Sequence, residues 1–295
     1  MLVRRLATLL AVLAWLGLAF PATAQQYPNW LQVLYNHQSV NPAYTAIGEN
    51  LGFFIMNRSQ LTGIHPANYA RQLSFHSPVF NQFNGAGLDL ISDRTDSISH
   101  LTLFTNYSYE MLIDDDIRLR LGGTFGFARI DKTGEMERDL MGNFGFGAFV
   151  YSSNGFFSLS FPRLIKNNAA YVRPEERIQN ENRLILFSTA AIFPVSEGVI
   201  LKPQLFYAIP YGRASRMDLS FHLLLKEKTE FGVLFSPGRS VGLMARSSLT
   251  PELRMAVAGD LAIKNPSGKR LSHLDLSLTY DIDLYGREKR QVLHF

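Results

Sequence analysis

The chain has no cysteine among its 295 residues. That absence excludes a disulfide framework, a thiolate metal site and the lipid-attachment cysteine of a bacterial lipoprotein. Long apolar runs are also missing beyond Phe20, because Arg, Asp and Glu are scattered through the rest of the chain. Helical membrane spans are therefore excluded. None of the seven histidines stands in H-E-x-x-H or H-x-x-E-H spacing. Neither a metal nor another cofactor is expected, and the chain reads as a non-enzyme. Charge of one sign is scarce as well. The net charge of +4 falls to about +2 once Arg4 and Arg5 are removed with a leader, and no basic patch stands out. Nucleic acid is not an expected partner.

The leader itself is the first positive signal. Arg4 and Arg5 precede an uncharged apolar stretch, 6–20, which is followed by Ala22, Thr23 and Ala24. That order predicts a secretory signal peptide over 1–24, cleaved after Ala24. The apolar stretch is shorter than the roughly 20 residues needed to span a bilayer.

Across the whole sequence, twenty-two Phe and twelve Tyr accompany twenty-two Gly. Recurring helical stripes of Leu and Ala are almost lacking. Strict alternation dominates instead. From 274 to 284, Leu274, Leu276, Leu278, Tyr280, Ile282 and Leu284 interleave with Asp275, Ser277, Thr279, Asp281 and Asp283. Successive strand side chains point to opposite faces, so one face is apolar and the other polar. Segments of this kind recur at 48–59, 68–77, 85–93, 97–112, 116–130, 143–152, 155–162, 184–194, 199–208, 217–225, 229–236, 240–248, 253–263 and 274–284. About fourteen antiparallel strands, one face for lipid and one for a wet lumen, predict an all-β transmembrane outer-membrane β-barrel. A β-sandwich also alternates, but this many strands would need two domains and a linker, and no linker is visible.

Connection lengths orient the expected barrel. With strand one running outward, long connections fall at 60–67, 131–142, 163–183, 210–216 and 264–272, and tight ones at 114–115, 153–154, 196–198, 226–228 and 249–252. The short 237–238 loop and the longer 79–84 turn break the pattern. Long loops face outward and short turns face the periplasm. The barrel is thus expected over 48–285, with a periplasmic N-terminal segment at 25–47 and a periplasmic tail at 286–295. The bilayer is a partner by construction. Arg287, Lys289 and Arg290 make the tail a candidate partner-binding element. Loop 163–183 reads either as a solvated surface or as a partner site.

Other candidates for chemistry have plainer readings. His76, His222 and His273 fall on the polar face of strands. An outer-membrane lipid hydrolase would need Ser and His together at the lipid-facing rim, which spacing alone does not supply. Asp114, Asp115 and Asp116 sit in a tight connection, where Asp favours turns. Asp275, Asp281 and Asp283, opposed by Arg118 and Arg120, would give a charged interior that plugs the barrel or lines a pore. Gly85 and Gly87 mark a bulge or close packing within a strand.

The segment before the first strand carries a family resemblance. Tyr27, Pro28, Asn29, Trp30 and Leu31, followed by Tyr35 through Ser39, Val40, Asn41, Pro42, Ala43 and Tyr44, are similar to the opening of the PorP/SprF family of the type IX secretion system in Bacteroidetes, with its S-x-N-P-A-Y signature. Ser74 to Pro78 resembles the family's S-x-H-x-P, and Gly85 to Leu88 with Asp93, Tyr107 to Tyr109, and Leu159 to Leu164 follow in order. The resemblance implies an outer-membrane component of secretion or gliding machinery. Its partners would be periplasmic type IX components or a secreted adhesin. On the residues alone, Asn41 before Pro42 disfavours helix and reads as a turn feeding strand one. Asn41, Pro42, Ala43 and Tyr44 are accordingly candidates for docking on a periplasmic partner or in the lumen, or they form a simple turn and plug. A passive channel or hydrophobic-ligand transporter remains the alternative function.

Overall fold

The computed structural model describes residues 36–60, 69–95, 98–132, 138–165, 184–211, 214–263 and 272–284. The expected leader, residues 25–35, most of loop 163–183 and the tail with Arg287, Lys289 and Arg290 lie outside the described residues.

Among the described residues, fifteen strands follow two short 3₁₀ turns, His37–Ser39 and Pro42–Tyr44. They are β1 Asn50–Gln60, β2 Tyr69–Val79, β3 Asn81–Thr95, β4 Ile98–Leu112, β5 Arg118–Lys132, β6 Arg138–Ser152, β7 Gly155–Arg163, β8 Leu184–Ala191, β9 Phe193–Ser196, β10 Val199–Pro210, β11 Arg216–Leu225, β12 Thr229–Ser236, β13 Ser240–Ser248, β14 Leu253–Ala262 and β15 Ser272–Asp283. Each pairs antiparallel with its neighbours, and β1 closes the sheet on β15 from Asn50↔Asp283 to Gln60↔His273. The closed circuit leaves the long strands no edge to be satisfied by lipid, and among the described residues only the short β9 pairs on one side, with β10.

Every alternating segment read from the sequence corresponds to a stave of this wall. The expected eighth strand is broken into β8 and β9, which lie end to end along one side of β10, so the fifteen strands make a 14-stave barrel. By register Pro203 stands opposite the break, where it has no N–H to give to the ladder. The Ile192 amide donates instead to the Asn154 carbonyl at 2.8 Å.

Alternation becomes two surfaces. In β12, Phe231, Val233 and Phe235 are exposed outward while Glu230, Leu234 and Ser236 are buried inward. The same outward apolar band includes Leu73, Leu103, Phe125, Phe157 and Leu278. So large an exposed apolar surface on a soluble protein would drive aggregation, whereas on a barrel it is the face that lipid covers.

One rim carries tight connections at 80, 113–117, 153–154, 197–198, 226–228 and 249–252. Longer intervals such as 61–68, 164–183 and 263–271 gather at the other. The expected 79–84 turn contracts to Phe80 alone, which takes φ +62 and lets β3 begin at Asn81. The 237–239 loop stays short. At the tight-turn rim Asp114 accepts from the Asp115 amide at 2.9 Å, and Asp116 accepts from the Ser153 hydroxyl at 3.0 Å, tying two neighbouring turns together. The acidic triplet thus works as turn chemistry.

Candidate functional site: the N-terminal plug

Residues 36–47, the described part of the expected N-terminal segment, lie inside the barrel. Local sequence explains their shape. Asn36 and Asn41 each cap a 3₁₀ turn, accepting from Gln38 N at 3.2 Å and Ala43 N at 2.9 Å, and Pro42 occupies the first position of its turn. A side-chain oxygen satisfies an otherwise orphan amide, and proline's fixed φ suits a turn's first residue. The N-P-A-Y signature is therefore a capped turn.

Polar groups of the wall hold this turn from several strands. The Asn41 amide nitrogen donates to Ser158 Oγ at 2.7 Å and to the Ala148 carbonyl at 3.1 Å. Ser160 Oγ donates to the Val40 carbonyl at 2.6 Å. On the opposite side Arg120 donates from Nε to the Ala43 carbonyl at 3.1 Å and from Nη2 to the Thr45 carbonyl at 2.7 Å, and Ser108 donates to the same Thr45 oxygen at 2.8 Å. Deeper in the lumen, Asn36 donates to Ser74 Oγ at 2.6 Å, and Gln38 donates to Asp89 Oδ2 at 3.3 Å. Asp89 also accepts from Asn106 at 2.6 Å and from the Ser74 hydroxyl.

Arg120 is fully buried, and its charge is compensated by Glu110 at 2.7 Å. Glu110 also takes Arg118 at 2.8 Å and the Tyr151 hydroxyl at 2.8 Å. Paired and hydrogen-bonded charge is the form in which burial is tolerated.

Shape complements polarity. A Cβ on Gly122 would collide with Pro42 and the Ala43 backbone, one on Gly147 with the Asn41 side chain, one on Gly85 with Thr45 and Ala46, and one on Gly87 with Gln38 and Thr45. The close packing expected at Gly85 and Gly87 is packing against the plug. Apolar contact completes the seat. Ala43 and Ile47 pack with Phe149, Tyr151 and Phe156, which point inward from β6 and β7. His37 and Tyr44 join this cluster at 5.5 Å from Phe156 and 5.3 Å from Phe149 respectively. Burial holds His37 down to about 3, aided by the positive field of Lys202 and Arg246, and pushes Tyr44 up to about 12. Both side chains are therefore neutral in the lumen near pH 7.

Of the sequence candidates, Asn41, Pro42, Ala43 and Tyr44 are brought together, with Asn41, Pro42 and Ala43 buried against the wall. Arg118 and Arg120 do face the interior, but they serve Glu110 rather than the β15 carboxylates expected to oppose them. Asp275 instead pairs with Arg58 at 3.0 Å, and Asp281 with Arg254. The reason is position around the wall, since β15 lies beside β1 and β14 whereas β5 lies beside β4 and β6. His222 and His273 face inward toward Glu230 and Asp260, both at hydrogen-bond distance. Among the described residues no group of three or more His, Asp or Glu is placed to hold a metal ion.

Sequence reading missed Arg120, Glu110, Ser158, Gly122 and Gly147 as the seat of the plug. One signal was present. Phe149, Val150 and Tyr151 are consecutive apolar residues in an otherwise alternating strand, so at least one apolar side chain had to face the lumen.

The chain is similar in structure to several solved barrels. A TodX deltaS2S3 mutant monoaromatic hydrocarbon channel superposes with a TM-score of 0.55 at 9% identity, covering 82% of this chain and 93% of that one. The outer membrane protein Omp33 of Acinetobacter baumannii gives 0.49 at 10% identity, covering 80% of this chain and 100% of that one. The toluene transporter TbuX of Ralstonia pickettii gives 0.48 at 8% identity, covering 82% and 91%. No curated protein matches the chain in sequence. The family model for the type IX secretion system membrane protein PorP/SprF matches residues 22–280, a span that takes in the capped N-P-A-Y turn and nearly the whole wall. This outer-membrane barrel belongs to the PorP/SprF family of type IX secretion membrane proteins.

Proposed function

We propose that the chain is a plugged, non-enzymatic component of the type IX machinery that anchors periplasmic parts of it or supports export and attachment of a partner protein. The observation that carries this reading is the seat of the plug. Wall residues from β2 to β7 hold it by hydrogen bonds, glycine contacts and an aromatic cluster, as befits a structural element of the barrel more than a freely passing obstruction. In this reading the tight-turn rim faces the periplasm, because outer-membrane barrels place short turns there. The segment 25–35 and the tail with Arg287, Lys289 and Arg290 are then the elements offered to periplasmic partners, with Asn41 to Tyr44 fixing where the first of them leaves the wall.

Two experiments test the proposal. Deleting the gene should strand cargo bearing type IX C-terminal signals inside the cell envelope, with rescue by the wild-type chain; normal export in the deletion strain would sink the reading. The native lack of cysteine permits a clean orientation test. A membrane-impermeant maleimide applied to whole cells should label Pro237→Cys and spare Asp115→Cys, and the reverse pattern overturns the assignment of the rims.

A further inference from the structure

Among the described residues, arginines on the lipid-facing wall gather in one sector. Arg71 in β2, Arg94 in β3 and Arg129 in β5 all point outward near the long-loop rim, as their cross-strand partners show. Arg71 opposes Ser92, Ser92 opposes Leu101, and Leu101 opposes Arg129, so these four residues form one lateral row across four adjacent strands. Arg94 stands one step nearer the rim, opposite Tyr69. Strands lie about 4.8 Å apart, which sets Arg71 and Arg129 roughly 14 Å from each other.

The row sits at the upper edge of the apolar band. Leu73 and Phe127, both exposed outward, lie two residues below Arg71 and Arg129, a drop of about 7 Å along the strand. Elsewhere at this rim the described outward positions include the apolar Leu140, Ile209, Val241 and Leu261, with the uncharged Asn57 and Ser59 on β1. Asp131 pairs with Arg129 at 2.9 Å, and both side chains keep substantial exposure, 31% and 43%. Arg71 lies over the Tyr69 ring at 4.7 Å, which holds its guanidinium against the wall.

We infer that Arg71, Arg94 and Arg129 form a binding site for the phosphate groups of a phosphorylated glycolipid in the leaflet at the long-loop rim. Guanidinium groups bind phosphate through paired, charge-assisted hydrogen bonds, and Ser92 adds a hydroxyl between them. Acyl chains of the same lipid would lie on the Leu73, Leu103 and Phe127 face directly below. The site would give the barrel a fixed lipid contact on one sector, leaving the rest of the wall free to turn toward other proteins. This goes beyond the secretion role, and binding in detergent does not depend on which leaflet the rim faces.

The test is binding of bisphosphorylated lipid A to the purified full-length protein in detergent, read by native mass spectrometry. Wild type should retain this lipid and bind its dephosphorylated form far more weakly. The R71Q/R94Q/R129Q variant should lose at least about tenfold in affinity, while Arg239→Gln, in the β12–β13 turn, should match wild type. Should the triple variant fail to fold, wild-type binding alone decides, because phosphate recognition must weaken as salt is raised. Equal affinity of wild type for the phosphorylated and dephosphorylated lipids overturns the proposal, as does an unaffected triple variant or insensitivity to salt. Saturation by inorganic phosphate alone overturns the lipid assignment.

Discussion

Gly122 and Gly123 are neighbours in β5 with opposite surroundings. A Cβ on Gly122 would strike Pro42 and Ala43 backbone atoms, whereas one on Gly123 meets nothing closer than the Gly145 carbonyl at 3.9 Å. Gly122→Val should therefore cost about 1–3 kcal/mol through overpacking and displace the plug. Gly123→Val should be neutral or slightly stabilising, because a branched residue suits a strand. Thermal unfolding in detergent with protease sensitivity of residues 36–47 reads both, and equal effects would remove the glycine seat from the account. Arg120 poses the complementary case. Arg120→Met strips the Ala43 carbonyl of its side-chain donor and leaves Glu110 with Arg118 and Tyr151. Breaking a buried pair in this way should cost about 3–5 kcal/mol, less whatever the remaining partners recover. Sequence alone marked these residues by type and not by task. A strand glycine announces that something comes close, and an inward arginine that a charge must be met, but the partner lies in a segment some 75 positions away for Arg120 and the Thr45 carbonyl.

The wall was legible at the level of elements because alternation is imposed by a bilayer on one face and a polar interior on the other, and that constraint repeats in every strand. The break at Ile192 was not legible, because it depends on Pro203 standing opposite in register, which no local pattern contains. Nor was the plug's place. The N-P-A-Y segment reads as a turn in any setting, and its burial follows only from the cradle that β4 to β7 build around it. One consequence of that burial is a pH dependence. His37 titrates at about 3 when docked, against 6.5 when free. Above 6.5 the ring is neutral in both states and contributes nothing to the difference. As pH falls from 6.5 toward 3, the free segment takes up a proton that the docked one refuses, so docking weakens progressively through that window. Hydrogen-exchange protection of residues 36–47, taken relative to the intrinsic exchange rate at each pH, should be greater near neutral pH than near pH 4.5, and His37→Phe should flatten the difference. An unchanged pH profile in the variant would assign the effect to other groups.

At the scale of the whole molecule, two unlike sets of groups occupy the lumen. The plug fills the side bounded by β2 to β7. Around β10 to β15 and β1, ion pairs project inward: Lys202 and Arg246 on Glu230 at 2.9 and 2.5 Å, Arg58 on Asp275 and Asp260 at 3.0 and 3.2 Å, and Arg216 on Asp218 at 2.8 Å. Apolar side chains add to this second set, since Leu234, Met244 and Ala258 form a buried cluster inside the wall. A freely conducting pore would keep its charged lining hydrated and its centre clear, whereas here the charges are largely buried and spent on one another. Purified wild-type protein in planar bilayers should accordingly show no stable porin-like conductance steps. Combining Gly122→Val with Gly147→Val, which crowds both the Pro42–Ala43 and the Asn41 contacts, should produce intermittent openings, because the second set remains when the first is dislodged. Large, steady conductance in the wild type would refute the plugged reading and favour a passive channel. Silence in the double variant, with the plug shown by proteolysis to be released, would instead mean that the inward ion pairs suffice to close the barrel by themselves.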